Sequence, residues 1–407
     1  QPGVAVMGAT CKPAKGPSVT YLDYNATTPI DPRVQAVMQP LLSSGWGNPS
    51  SSHVYGKVAN AALKAARQKV ATAVGCADSN EIVFTSGGTE SINHAIRGAA
   101  FASKRIRYGG NHIIISSIEH VAVSATCRYL QDHHGFKVTT LPVDGSGRVS
   151  PEALKKAITR KTVVVSIMMA NNEVGTIQPI AELVKVAKAA SKKIIFHTDA
   201  SQAVGKIDVN VQELGVDLLT IAGHKLYAPK GIGALYIRNE LPVTLEPLIH
   251  GAGHEMGRRA GTENILLAAG LGEACQIAKQ DLEERMRHMK LCRDHLQRKI
   301  MHEFKGALVR INGDEKVRLP NTLSISFHGL ASHEILHDIQ DLVACSAGSA
   351  CHSNEIRISH VLAAMKVPLD FAKGTLRLST GINTTIEEAD KAAKFVCETV
   401  KRRYKIQ

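Results

Sequence analysis

The chain has 407 residues, 44% of them hydrophobic and 21% charged, with a net charge of +13. Such a composition suits a soluble globular protein with two or three domains' worth of core. It excludes a membrane-spanning chain, because the longest uncharged apolar runs, such as residues 162–170, stop far short of the ~20 residues that cross a bilayer. Lys and Arg are scattered, with KRIR at 104–107 and KRRYK at 401–405 the densest clusters, and aromatics are only 4%. The excess charge therefore reads as a generally basic surface rather than a nucleic-acid interface.

In chain order, the first 19 residues have neither the apolar core of a secretory signal nor the Arg-rich amphipathic character of a transit peptide. The expected location is the cytoplasm, with an organelle as the alternative if an upstream targeting segment has been removed. Residues 1–27 are taken as an N-terminal arm. From about residue 30 to 275, β-branched runs at 81–86, 112–117, 137–143, 162–169, 193–199, 217–222 and 233–238 alternate with amphipathic stretches such as IAELVKVAKAASK. Continuous apolar strands alternating with helices predict an α/β large domain over 28–275, with a mainly parallel seven-stranded sheet covered on both faces. After residue 275 come a long charged helix, NTLSISF, a Gly/Ser-rich stretch, GTLRLSTG and a closing helix, which predict a smaller α+β domain over 276–407. The eight cysteines, Cys11, Cys76, Cys127, Cys275, Cys292, Cys345, Cys351 and Cys397, form no CxxC pair. This argues against a disulfide scaffold or zinc ribbon and for a reducing compartment.

Open parallel sheets bind ligands beyond the carboxyl ends of their strands, so what each strand presents there is informative. EIVFTS runs into GGTES, a Gly-Gly turn at Gly87 and Gly88 followed by Thr89 and a helix whose start suits a phosphate. HIIISSIEH ends at His120, TVVVSIMMA at Asn171 and Asn172, KIIFHTDASQ at Asp199 and Gln202, and DLLTIAGHK at His224 and Lys225. Singly, each has a plainer reading: a helix cap at Thr89, a satisfied histidine at 120, an N-cap at Asp199 beside Ser201. Five polar tips on one sheet edge together describe a pyridoxal 5'-phosphate site. A lysine amine attaches the cofactor, a carboxylate holds the pyridine nitrogen protonated, an imidazole stacks on the ring and a helix start takes the phosphate.

The chain from YLDYNATTP onward resembles the group I NifS-like cysteine desulfurases and selenocysteine lyases, which are fold-type-I pyridoxal phosphate enzymes. The resemblance rests on YLDYNATTP, GNPSSSH, FTSGGTES, EH, NNEVG, HTDASQAVGK, GHKLYAPKGIGALY, GRRAGTEN and SAGSACHS, matched in order. It implies that Lys225 carries the cofactor, Asp199 pairs with its ring nitrogen, and His120 stacks on the ring, aids proton transfer and, protonated, lowers the pKa of the reactive thiol. It further implies that Gln202, Asn171 and Asn172 touch the ring hydroxyl or the substrate, with Asn172 the preferred cofactor contact. Gly88, Thr89 and His224 hold the phosphate, Thr262 reaches the phosphate of a neighbouring subunit in a homodimer, and Arg377 binds the substrate carboxylate. Cys351, in the small and polar CSAGSACHSNE, takes sulfur from L-cysteine or selenium from L-selenocysteine as a persulfide or selenopersulfide and leaves L-alanine. A sulfur- or selenium-acceptor protein is then expected as a partner. A regulatory disulfide or metal grip by Cys345 and Cys351 is the weaker reading, since no further zinc-spaced ligands accompany them.

Departures bear on which sister activity is present. Ala222 stands where desulfurases commonly have serine, and Ala347 and His352 alter the loop in the same direction, toward selenocysteine lyases. GRRAGTEN and APKGIGALY look equally like bacterial desulfurases, which leaves the two activities balanced. Two rivals remain: an aminotransferase or β-lyase of the same fold with Cys351 idle, and a non-catalytic sulfur-transfer scaffold.

Overall fold

The computed structural model describes residues 19–106, 109–304, 306–347 and 358–406, with the backbone of 351–352 and 355–356. Seven strands form the main sheet: β1 (Ile82–Thr85), β2 (His112–Ser116), β3 (Lys137–Leu141), β4 (Thr162–Ser166), β5 (Ile195–Asp199), β6 (Leu218–Ala222) and β7 (Gly233–Ile237). Their spatial order is β1-β7-β6-β5-β4-β2-β3, parallel except for β7, which runs antiparallel to both neighbours. Every residue of β1, β2 and β4 to β7 is buried, which is why these strands read as continuous apolar runs rather than alternating ones. Only β3, at the sheet edge, is partly open to solvent.

Helices α1 (Val54–Ala73), α2 (Gly88–Arg105), α3 (Val121–His134), α4 (Ile180–Ala190) and α5 (Ile265–Gln280) cover the sheet. They bury two separate apolar clusters, one on each face: Leu63, Phe84, Phe196 and Leu271 belong to the first, Ile92, Ile96, Ile113 and Leu130 to the second. Among the described residues no helix is long and apolar enough to cross a membrane.

The smaller unit has α6 (Leu282–Glu303), an antiparallel sheet in the order β10-β11-β9-β8, and α9 (Ile386–Tyr404). Its strands are β8 (Val309–Ile311), β9 (Thr322–Phe327), β10 (Ser346–Ala347) and β11 (Thr375–Ser379), joined by the shorter helices α7 (Ser332–Ile339) and α8 (His360–Ala364). Residue 275 falls inside α5, where Cys275 is fully buried against the large domain; the chain passes from α5 to α6 at Asp281. Residues 19–25 are woven into the small unit rather than forming a free arm. Thr20–Tyr21 pair in parallel with Val343–Ala344, Asp23 bridges to Ser379, and Leu22 is buried in the small-domain core.

A buried ion pair pins the segment that leads to Thr262. Arg67 of α1 meets Glu255 with two parallel bonds of 2.6 Å each, and the Phe84 amide of β1 donates to the same carboxylate at 2.9 Å. Glu255 and Met256 both have positive φ, +49° and +58°, a strained backbone for residues with side chains. Removing one partner of such a pair strands a charge in the interior. Glu255→Ala should lower unfolding stability by about 3–5 kcal/mol, read as a reduced urea midpoint; a midpoint within error of the wild type would show that the pair does not hold the segment.

Candidate active site

The carboxyl ends of the parallel strands and the start of α2 open onto a cavity of about 420 Å³. Lys225, Asp199, His120, Gln202 and Arg377 line it, as do Gly88, Thr89, Asn172 and His224. Asn25 and Lys225, 200 positions apart in the chain, thus meet at one end of the sheet.

Lys225 follows β6 in a tight turn, Gly223–Lys225. Gly223 is needed there, since a Cβ would lie 2.8 Å from the Ile232 carbonyl oxygen. The Lys225 Nζ donates to the carbonyls of Asn25 at 2.6 Å and Ala26 at 2.7 Å. Burial, reinforced by the charge of Arg377 and opposed by Asp23 and Asp199, pushes its amine down to about 8. Asp199 ends β5; its Oδ1 accepts from the Ser201 amide at 2.9 Å and the Ser201 hydroxyl at 2.6 Å, while no described residue donates to Oδ2. The cap-like bonding anticipated as the plainer reading is thus present, and one oxygen is still left for a ligand.

At the other end of the cavity α2 begins at Gly88 with no side-chain cap, so its first-turn amides are available to an anion. Gly88 allows close approach: a Cβ would sit 3.1 Å from that of Ala222 and 3.3 Å from Ser201 Oγ. His224 shares a hydrogen with Thr27 Oγ1 at 3.2 Å and is pushed down to about 4 by burial and by the charges of Lys225, Lys230 and Lys206. Arg377, on β11, donates from Nη1 to the Asn172 carbonyl at 3.2 Å and from Nη2 to Asp23 Oδ1 at 2.8 Å and Ser346 Oγ at 3.0 Å; its buried Nε has no partner among the described residues.

Two expectations change. His120 caps α3, and its Nδ1 accepts from the Ala122 amide at 3.1 Å, which places the proton of the neutral ring on Nε2. Burial lowers its pKa, so near neutral pH it is an uncharged imidazole rather than the protonated one expected to lower a thiol pKa. Asn171 does not line the cavity: its Nδ2 donates to the Ile118 carbonyl and its Oδ1 accepts from the amides of Glu173 and Val174, so its side chain is spent on the loop that presents Asn172. Thr262 is exposed and lies outside this chain's cavity. The Cys351 side chain lies outside the described residues; the backbone of 351–352 pairs antiparallel with 355–356.

Asn25, Ala26 and Ser201 line the cavity and were given no role in the sequence reading, and Lys206 lies behind it. Glu119, fully buried next to His120, accepts from Ser116 Oγ at 2.5 Å and the Met168 amide at 3.0 Å, and burial drives its carboxyl up to about 8. Nothing in the sequence distinguishes these residues from ordinary loop polar groups, although Asn25 and Lys206 both sit inside long matched motifs.

The chamber fits pyridoxal 5'-phosphate on its own donor set: uncapped helix amides and a close-approach glycine for the phosphate, a carboxylate oxygen free for a ring N–H, and an amine of lowered pKa. This is the arrangement of a fold-type-I pyridoxal phosphate enzyme. Within that class the chain belongs to the aminotransferase class-V family, whose model matches residues 20–392. It is 47% identical over 369 residues to "Cysteine desulfurase IscS" of Dictyoglomus turgidum, covering 90% of this chain and 91% of that one. It is 44% identical over 383 residues to "Probable cysteine desulfurase, mitochondrial" of Dictyostelium discoideum, covering 94% and 83%. Among solved structures it is similar to a NifS-like protein, with a TM-score of 0.86 at 36% identity, covering 95% of this chain and all of that one.

The depressed Lys225 pKa has a signed consequence. Between about 8 and the ordinary 10.5 the unfolded chain holds a proton that the folded chain has lost, so the contribution of this group to stability rises with pH across that window and is lost as pH falls through 8. In cofactor-free protein the Lys225 amine, followed by NMR of its ¹³C-dimethylated form and assigned with Lys225→Ala, should titrate near pH 8. Arg377→Met should move that midpoint upward. A midpoint near 10.5 would contradict the buried placement.

Proposed function

We propose that the chain removes sulfur from L-cysteine or selenium from L-selenocysteine, releasing L-alanine and leaving a persulfide or selenopersulfide on Cys351. The observation that carries the proposal is the meeting of the Lys225 amine and the Asp199 carboxylate in one cavity with the Arg377 guanidinium. The names of the relatives, cysteine desulfurases, support the sulfur substrate.

When bound, pyridoxal 5'-phosphate supplies an electron-withdrawing ring that acidifies the substrate Cα–H. Asp199 Oδ2 would hold the pyridine N–H, Thr89 and the α2 amides would hold the phosphate, and His120 would lie beside the ring. Arg377 orients the substrate carboxylate, with its unpartnered Nε–H as the free donor. Lys225 Nζ, near 8 and therefore readily neutral, takes the Cα proton. The Cys351 thiolate then attacks the substrate sulfur or selenium: an S–S or S–Se bond forms, the bond to Cβ breaks with its electron pair left on the carbon side, and one proton at Cβ and one returned to Cα complete alanine. Neutral His120 contributes a donor at Nε2 rather than a positive charge.

We further infer a homodimer in which Thr262 reaches the partner's phosphate. Leu42, Trp46, Val54 and Tyr55 are 52–68% exposed, and Trp46 stacks on Tyr55 with ring centroids 4.9 Å apart. Such a concentration of exposed apolar side chains marks an interface. It lies at the amino end of α1, the helix that also carries Arg67 of the Glu255 clamp. The proposed location is the cytoplasm, with an organelle as the alternative in keeping with the mitochondrial relative. An acceptor protein for the sulfur or selenium is the proposed partner.

Purified protein supplied with pyridoxal 5'-phosphate should turn yellow, and Lys225→Ala should lose the wild-type band. Cys351→Ser should abolish sulfide or selenide release in the presence of reductant; retained release would favour a β-lyase, and a colourless wild type would favour a scaffold. Rates with L-cysteine and L-selenocysteine, measured side by side, decide between the sister activities. Sedimentation velocity should find a dimer that Trp46→Asp converts largely to monomer; a wild-type monomer would remove the proposed role of Thr262.

A further inference from the structure

Lys206, four residues after Gln202, is 3% exposed, yet among the described residues no carboxylate pairs with it. A buried ammonium without a counter-charge is costly. The side chain is satisfied differently. Its Nζ donates to Gln202 Oε1 at 2.5 Å and to Asn25 Oδ1 at 3.1 Å, two acceptors that match the two N–H bonds of a neutral amine. Burial, with the positive charges of Lys225 and Arg377 nearby, drives the amine well below its ordinary value, consistent with that count.

Both acceptors belong to residues that line the cavity. A side-chain amide has an oxygen that accepts and a nitrogen that donates, nearly identical in outline, so its partners decide which faces which way. With Oε1 engaged by Lys206, Gln202 must turn Nε2 outward. One N–H of that group reaches the Asn25 carbonyl at 2.9 Å, and the other remains for the cavity. The reverse orientation would set the Gln202 oxygen against the Asn25 carbonyl oxygen, two acceptors facing each other. Asn25 is fixed in the same way: its Oδ1 also accepts from Asn321 Nδ2 at 3.0 Å, while its Nδ2 donates to Thr322 Oγ1 at 2.8 Å and the Asn172 carbonyl at 3.2 Å.

We propose that Lys206 is a positioning residue: by donating to the side-chain oxygens of Gln202 and Asn25, it makes Gln202 a hydrogen-bond donor to the cavity, suited to an oxygen acceptor on the ligand. Resting on the reading of the chamber as a pyridoxal phosphate site, that acceptor is the ring oxygen of the cofactor. Lys206 itself touches neither cofactor nor substrate. Its effect on the ring oxygen passes through the amide of Gln202.

The test combines cofactor-free crystal structures with cofactor titrations of the wild type, Lys206→Met, Gln202→Ala and the double variant. In cofactor-free Lys206→Met, Gln202 Nε2 should leave the Asn25 carbonyl. The dissociation constant for pyridoxal 5'-phosphate should rise about tenfold, the loss expected for one hydrogen bond, and the visible band should shift. The double variant should bind no more weakly than Gln202→Ala, because both changes remove the same contact. Lys206→Gln, which keeps an amide N–H₂, should restore part of the affinity and the original band; it also serves if the Met variant does not fold. The proposal is overturned if Gln202 keeps its bond to Asn25 without Lys206, or if the two losses multiply with the band unmoved, as a purely structural lysine requires. A wild type that takes up no pyridoxal 5'-phosphate overturns the function proposed above, while the cofactor-free structures still decide whether Lys206 sets the amide.

Discussion

The site is organised around a concentration of basic side chains that, among the described residues, is met mainly by oxygen dipoles rather than by carboxylates. Lys206 and Lys225 both donate to Asn25 and Arg377 donates to the carbonyl of Asn172, so the three are met largely by carbonyl and amide oxygens. Asp23, on Arg377, is the one acid bonded directly to any of the three among the described residues. Oxygen dipoles satisfy the donors without cancelling the field, and burial together with that field lowers both lysines. A cavity built in this way favours anionic ligands, and a phosphate-bearing cofactor and a carboxylate-bearing substrate are two of them.

The fold supplies the convergence that this cluster requires. Six buried strands leave their side chains no freedom until the chain exits the sheet, so polar groups can first appear where the strands end, and in a mainly parallel sheet most of those ends share one edge. Close packing at that edge is set by absent side chains as much as by present ones. Gly223 lets β6 turn against Ile232, and Gly88 lets α2 start against Ala222. The small unit closes the cavity from across the sheet with Arg377.

Much of this was legible in the residues. Fully buried strands such as TVVVS and LLTIA announce themselves by composition, and Asp199, His224 and Lys225 follow such runs directly. What escaped depends on contacts made far along the chain. Asn171 and Asn172 are adjacent and chemically identical, and only the turn that consumes Asn171 tells them apart. The charge of His120 depends on burial and on the Ala122 amide. Lys206 in sequence looks like a solvated lysine, and its depth is decided by Asn25, 181 positions away. Residues 19–25 resemble an arm because their partners, Val343, Ala344 and Ser379, lie at the opposite end of the chain.

That last connection bears on how the protein is made. Asn25 leaves the ribosome early, but its amide bonds to Ser379 Oγ, 354 residues later, and its side chain bonds to Asn321 and Thr322. The wall against which Lys225 rests is therefore incomplete until nearly the whole chain has been synthesised. Contacts of such sequence separation form late and slowly. Completion of the site thus waits on the last small-domain strand, Thr375–Ser379, and a nascent chain that stalls before it would hold its reactive lysine in an unfinished pocket.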